Sequence, residues 1–202
     1  MGKGRIKTLE LLKATKFLNL YKAAYKNKLG QDKTWIIASR KDEATLSGQY
    51  FNQKDEKVDA VVLVALHEAE EKLVVIKQFR VPLNDYVYEL PAGLIDGEEG
   101  IDVAAKRELK EETGLDLVQI YENKSNQKAY FSAGMTEESG ALVYCTCTGT
   151  ISKDGLEDDE DIEALLLTKQ EAQALLESDS KMDIKAFLVL QSFAKLGMDI
   201  LK

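Results

Sequence analysis

Residues 93–115 read GLIDGEEGIDVAAKRELKEETGL, and the second half of this stretch has the spacing of an amphipathic helix. At 100° per residue, Ala104, Ala105 and Leu109 fall in one arc about 140° wide, while Val103 faces the other way. Glu108 and Glu112 lie in the middle of that arc, one turn apart. Two ionised carboxylates on a buried face are unfavourable unless a cation is near them.

This arrangement of acids leaves two interpretations open. The helix is either a half-exposed stripe whose glutamates pair with Lys or Arg, or it presents carboxylates to a metal ion. Side chains one turn apart have Cβ atoms about 6 Å apart, so their oxygens can converge on one hard cation. Gly114 is expected to end the helix. The preceding PAGLIDGEEG contains three glycines and a proline, which predicts a loop whose backbone can approach a ligand closely.

Length and composition limit the classes of protein. The 202 residues suffice for one domain, or for one domain with a small appendage. No apolar run is long enough to cross a bilayer, and the start of the chain does not read as a signal peptide, so we expect no membrane partner. The net charge of −8 argues against nucleic acid as the main partner. Cys145 and Cys147 are two residues apart on a predicted strand, which favours a reducing, cytoplasmic location over a disulfide scaffold or a zinc site.

The distribution of apolar runs predicts the fold class. Two β-branched runs, residues 60–66 and 72–79, flank a polar turn and predict a hairpin. Further strands are predicted at residues 34–39, 87–91, 128–131, 141–148 and 164–168, and helices at 169–178 and Ile184–Leu196. Residues 47–57 are predicted to be a loop or hairpin edge. Because the strands come in hairpins and do not alternate strictly with helices, the pattern favours an α+β fold with a mixed sheet.

The opening stretch resembles the complete Nudix box. The matching positions are Gly93, Glu99, Arg107, Glu108, Leu109, Glu111, Glu112, Gly114 and Leu115. The resemblance extends over about residues 60–190 and implies a Nudix α/β/α sandwich with a mixed sheet in residues 58–202. It also implies a β-rich N-terminal segment, residues 1–57, that serves dimerisation and substrate contact.

The resemblance implies an activity and roles for the box residues. Nudix enzymes hydrolyse a nucleoside diphosphate linked to another group, with Mg²⁺ or Mn²⁺ as the cofactor. In this chain the implied metal ligands are Glu108, Glu112, Glu111 and the backbone carbonyl of Ala92. Arg107 matches the arginine that holds the box acids by ion pairs, and it is grouped with Glu111 among the catalytic residues. The alternative for Arg107 is an ordinary surface salt bridge.

The flanking segments resemble the ADP-ribose pyrophosphatase branch, which acts on nucleoside diphosphate sugars. KQFRVPL and YELPAG place Arg80 where that branch contacts its substrate, although a surface charge at a strand end is the alternative. FSAGMTEES resembles the form S-P-G-x-[ST]-x-E and places Glu138 at the substrate, with Ala133 replacing the usual proline. That replacement leaves ADP-ribose itself open. Trp35 either stacks on the base of the substrate or packs in a core.

The acidic stretch GLEDDEDIEALLL is ordinarily interpreted as a mobile, solvated loop. In the ADP-ribose branch, however, a glutamate followed by Asp and Ile at this place activates the attacking water or holds a metal. Glu160 has that context and is therefore the predicted general base. Glu111, Glu157 and Glu138 are the alternatives.

Two further expectations concern function and assembly. Residues 7–39 are rich in Leu, Tyr and Trp, and we expect them to pair with a second copy in a homodimer. His67 is expected on the surface. The alternatives to a nucleotide-sugar pyrophosphatase are a Nudix hydrolase of GDP-mannose or a dinucleotide, and a regulator that binds a nucleotide sugar without cleaving it. The complete set of box acids favours catalysis.

Overall fold

The computed structural model describes residues 4–202, which form two compact units. The first contains residues 4–59 together with Ala129–Gly140, and the second contains Ala60–Lys128 and Ala141–Lys202. The sequence gives no sign that residues 129–140 belong with the N-terminal segment. The assignment of residues 58–202 as one functional domain stays a prediction.

The first unit is an antiparallel three-stranded sheet with one helix. Its elements are β1 (Ile6–Lys13), β2 (Asn19–Lys26), β3 (Asp32–Ser39) and α1 (Glu43–Asn52). Alternate residues of β2 and β3 pack with Leu46 of α1 in a small core that includes Tyr21 and Ile37. The prediction of a loop from residue 47 is wrong as far as Asn52. Asp42 accepts the Thr45 N–H at 2.8 Å and caps the helix, which then buries Leu46 despite its polar composition.

The second unit is built on a larger sheet. Its strands are β4 (Ala60–His67), β5 (Lys72–Arg80), β6 (Asp85–Glu89), β7 (Ala92–Leu94), β8 (Asp116–Ile120), β9 (Asn126–Tyr130), β10 (Ser139–Thr148) and β11 (Ile162–Leu167), of which the last two residues of β9 and the first two of β10 lie in the first unit. The main order is β11-β5-β4-β10-β8, while β6 pairs with β5, β7 with β4 and β9 with β10. The predicted hairpin and the α+β class are confirmed.

Helices cover both faces of this sheet. They are α2 (Ile101–Thr113), α3 (Lys169–Leu176) and α4 (Ile184–Leu196). Every residue of β4 is buried, so neither face of that strand meets solvent. Val62, Val64 and Leu66 share a cluster with Leu190 and Phe193 of α4, and α2 contacts β4 and β7. This is the predicted α/β/α sandwich, and α2 and α4 occupy their predicted positions.

The single histidine departs from its prediction. His67 is buried because β4 continues through it into the turn, so the surface prediction is wrong. Its Nε2 lies 3.0 Å from the Gly149 carbonyl oxygen, and its Nδ1 accepts the Glu70 N–H at 3.3 Å. The histidine therefore ties the β4–β5 turn to the end of β10. In residues 4–202, no helix has the length and apolarity needed to span a membrane.

Candidate active site

Helix α2 carries acids on its buried face. Glu108 and Glu112 are only 8% and 5% exposed. Ala104, Ala105 and Leu109 share that buried face, as the helical period predicts. Gly114 ends the helix with a φ of 77°, a left-handed conformation that glycine adopts without strain.

Gly93 on β7 lies against one of these acids. A Cβ added at Gly93 would meet the carboxylate atoms of Glu108 at 2.0–2.1 Å. The backbone of β7 therefore approaches α2 so closely that a side chain at this position would displace Glu108. This close packing explains why a glycine stands at position 93, which the sequence alone does not show.

Arg107 binds several box acids together. Its Nη1 donates to Glu108 at 2.7 Å and to Glu111 at 2.9 Å, and its Nη2 donates to Glu99 at 2.6 Å. Nη2 also donates to the Leu94 carbonyl at 2.9 Å, which fixes the end of β7 to the helix. These bonds raise the pKa of Arg107 and lower the pKa of Glu99. Arg107 therefore holds Glu108 and Glu111 at fixed positions.

Among residues 4–202, Glu112 has no such cationic partner at hydrogen-bond distance. Its Oε2 accepts the Ala92 N–H at 2.9 Å. Burial, with the negative charges of Glu108 and Glu160, nevertheless raises the pKa of Glu112 to about 8. Burial likewise raises the pKa of Glu108, although Arg107 acts in the opposite direction. Buried acids this close together are stabilised when a cation binds between them.

The donor set fits a hard divalent cation. Carboxylate and carbonyl oxygens are the ligands that Mg²⁺ and Mn²⁺ prefer. Within the described residues, no three acidic, histidine or cysteine side chains already converge at coordinating distance. Arg107 and the Ala92 N–H instead engage the carboxylates of Glu108, Glu111 and Glu112. Each of these bonds uses one oxygen of its carboxylate, which leaves the second oxygen for a metal.

The segment between β10 and β11 brings Glu160 to this cluster. The Ser152 N–H donates to the Thr113 carbonyl at 3.0 Å, and Gly155 packs on the backbone of Glu111. Glu160 is half-buried, and its carboxylate accepts the Glu157 N–H at 3.0 Å. Its negative charge contributes to the raised pKa values of Glu108 and Glu112. The neighbouring acids at 157–159 are exposed, so Glu160 differs from them in its surroundings.

Arg80 forms an ion pair with Glu89, a residue that was not among the predicted site residues. Its Nε and Nη2 donate to the two carboxylate oxygens of Glu89 at 2.6 and 2.9 Å. Glu89 is buried, and this bidentate bond raises the pKa of Arg80. The charge of Glu112 also raises it, so Arg80 and Glu112 lie near each other. The register of β5 and β6 places Asp85 opposite Arg80 and Ile76 opposite Glu89, so strand pairing alone would not have indicated Glu89 as the partner.

The remaining predicted substrate residues belong to the first unit. Trp35 is 53% exposed, so the interpretation that it packs in a core is wrong. Its Nε1 donates to the Gly134 carbonyl at 3.1 Å. The ring lines a cavity of about 260 Å³ together with Tyr50, Tyr130, Ala133 and Met135. Arg40 Nε donates to Glu138 Oε1 at 2.7 Å.

Comparison with known proteins identifies the family of the chain. Residues 7–187 match the family model of the NUDIX domain. The chain belongs to the Nudix family. This Nudix chain is 33% identical over 136 residues to the ADP-ribose pyrophosphatase of Bacillus subtilis (strain 168), covering 65% of this chain and 70% of that protein.

Two other similarities concern a mouse protein and a solved structure. The Nudix chain is 32% identical over 116 residues to the ADP-sugar pyrophosphatase of Mus musculus, covering 56% of this chain and 49% of that protein. The match therefore spans about half the length of the mouse protein. A crystal structure of ADP compounds hydrolase matches with a TM-score of 0.67 and 16% identity over 96% of each chain, which shows a shared fold.

Proposed function

We propose that this Nudix protein is a metal-dependent pyrophosphatase that cleaves the diphosphate of ADP-ribose or a related nucleoside diphosphate sugar. The products are a nucleoside monophosphate and a sugar phosphate. The main support is the buried pair Glu108 and Glu112, with Glu160 close enough to raise their pKa values. The names of the Bacillus subtilis and mouse relatives agree with this substrate class.

The proposed chemistry follows from the charges of the site. Glu108, Glu111 and Glu112 and the Ala92 carbonyl would hold Mg²⁺ or Mn²⁺, which offsets the charge of the diphosphate and makes a nearby water more acidic. Arg107 keeps Glu108 and Glu111 in place for this task. Water attacks one phosphorus while the bridging P–O bond breaks, and Glu160 accepts the proton of the water.

The remaining part of the proposal concerns substrate contacts. Arg80 lies near Glu112 and can donate to a phosphate oxygen with the part of its guanidinium that Glu89 does not use. The exposed ring of Trp35 offers an aromatic surface on which a base can stack. Ala133 lines the same cavity as Trp35, and Glu138 follows on the same segment.

Turnover of defined substrates tests the proposed function. With Mg²⁺ present, we expect the highest kcat/KM on ADP-ribose or another ADP-sugar, and chelation of divalent metal with EDTA should abolish hydrolysis. The comparison set includes GDP-mannose and a dinucleotide at equal concentration. A higher kcat/KM on either of them would contradict the substrate class. Tight binding of an ADP-sugar without hydrolysis would indicate a regulator instead.

A homodimer is the second proposal, and the outer face of the first sheet supports it. Leu20 and Ile36 are exposed on the face opposite α1 and are diagonal neighbours, because the register of β2 and β3 places Ala38 opposite Leu20 and Lys22 opposite Ile36. Exposed apolar side chains on a regular sheet face favour association with a second copy. We expect light scattering to give twice the chain mass of 22.6 kDa.

A charged side chain on this face should separate the copies. Ile36→Lys is expected to give a monomer, while Leu29→Lys, in the β2–β3 turn, should leave the dimer intact because that exposed leucine lies outside the sheet face. A monomer mass for the unaltered chain at micromolar concentration, with full activity, would contradict the proposal.

We also propose a cytoplasmic location, which the two cysteines support. Cys145 and Cys147 are free, buried thiols that point from the same strand, and burial raises the pKa of both. Thiols kept reduced and unpaired are typical of proteins from a reducing compartment.

A further inference from the structure

A row of three residues crosses the larger sheet: Tyr86 on β6, Phe79 on β5 and Asp161 just before β11. Phe79 of β5 pairs with Tyr86 of β6, and on its other side its N–H donates to the Asp161 carbonyl at 3.1 Å. Paired residues of neighbouring strands point to the same face of a sheet. The Tyr86 hydroxyl reaches across Phe79 and donates to Asp161 Oδ2 at 2.5 Å.

The Tyr86 ring is held in place by its neighbours. It contacts Phe79 edge to face, with the ring centroids 5.5 Å apart and an angle of 72° between the planes. The ammonium of Lys77 lies 5.2 Å from the centre of the Tyr86 ring. These two contacts orient the ring, which is 40% exposed, and neither of them involves Asp161.

Asp161 directly follows the predicted base. Because β11 begins at Ile162 and the Phe79 bond extends its pairing by one residue, residues 160 and 161 face opposite sides of the sheet. Asp161 points toward Tyr86, and Glu160 points toward the side of α2. A hydrogen bond on Asp161 therefore limits the rotation of the backbone that carries Glu160.

We propose that Tyr86 is a positioning residue, whose hydroxyl fixes Asp161 and thereby holds Glu160 at the box acids. The inference rests on the proposed function only in its kinetic consequence, since the hydrogen bond itself can be tested without turnover. Tyr86 does not touch the substrate in this proposal and acts through Asp161.

The chain offers a matched control on the same strand. Tyr88 also lies on β6 and shares the Lys77 ammonium, at 5.8 Å from its ring centre. Its hydroxyl makes no hydrogen bond with another residue of the described chain. Tyr86→Phe and Tyr88→Phe thus remove the same oxygen from similar rings, but only the first removes a bond to Asp161.

Hydrogen exchange of the metal-free, full-length chain tests the hydrogen bond. The hydrogen-bonded amides around Asp161, those of Phe79, Glu157 and Glu160, should exchange about tenfold faster in Tyr86→Phe than in the unaltered chain, and at an unchanged rate in Tyr88→Phe. Equal exchange in the two variants would overturn the inference. This readout needs no activity, so faster exchange together with a lack of hydrolysis would contradict the proposed function alone.

Kinetics then test the positioning role. Tyr86→Phe should lower kcat about tenfold with KM changed less than about twofold, because the loss affects the base and not substrate binding. Asp161→Ala should have the same effect, while Asp161→Asn, which keeps an acceptor oxygen, should restore most of kcat. In a Glu160→Gln background, Tyr86→Phe should lower kcat no further. A full additional decrease there would show that Tyr86 acts by another route and would overturn the inference.

Discussion

Glu112→Gln is expected to lower kcat by at least about 10²-fold at saturating Mg²⁺, with the fold intact. The substitution removes one negative charge from the cluster while keeping the shape of the side chain. The amide oxygen of glutamine can still accept the Ala92 N–H, so the contact between α2 and β7 is preserved. What is lost is an anionic ligand for the metal.

Thermal unfolding separates metal binding from the fold. Without metal, the melting temperature of Glu112→Gln should equal or exceed that of the unaltered chain, because a buried carboxylate crowded by Glu108 and Glu160 is replaced by a neutral group. The increase in melting temperature on addition of Mg²⁺ should be much smaller in the variant. Asp102→Asn removes the same charge from an exposed position of the same helix and should keep both activity and the metal response. Near wild-type turnover of Glu112→Gln would remove Glu112 from the ligand set.

Glu160→Gln is expected to lower kcat by about 10²-fold or more and to leave KM nearly unchanged, because a general base acts mainly in the transition state. Asp159→Asn should change kcat little. The structure gives a reason for the difference: Glu160 is half-buried and its charge acts on Glu108 and Glu112, whereas Asp159 is exposed. The measurement is steady-state kinetics of both variants, which gives kcat and KM on the substrate with the highest kcat/KM.

Equal and small effects of these two substitutions would show that the segment is only a solvated acidic stretch. The base would then be sought among Glu111, Glu157 and Glu138. A large loss in Glu160→Gln accompanied by a proportionate rise in KM would indicate a role in substrate or metal binding instead of proton transfer.

Local patterns in the sequence determined the elements that carry the site. The 3.6-residue period placed Glu108 and Glu112 on the buried face of α2, and Gly114 marked its end, because both signals depend on residues within a few turns of each other. The β4–β5 hairpin was predictable for the same reason. The box itself, with its fixed spacing, was enough to indicate the family that the comparison then showed.

The tertiary structure alone decided which distant residues meet. The approach of Gly93 to Glu108, the bond between Arg80 and Glu89, and the tie from Tyr86 to Asp161 join residues on different strands and helices. The exposure of Trp35 and the burial of His67 likewise could not be predicted from the residues next to them in the sequence. Periodicity specifies which face of an element is apolar, but strand order and register determine what that face meets, and these follow from packing of the whole chain.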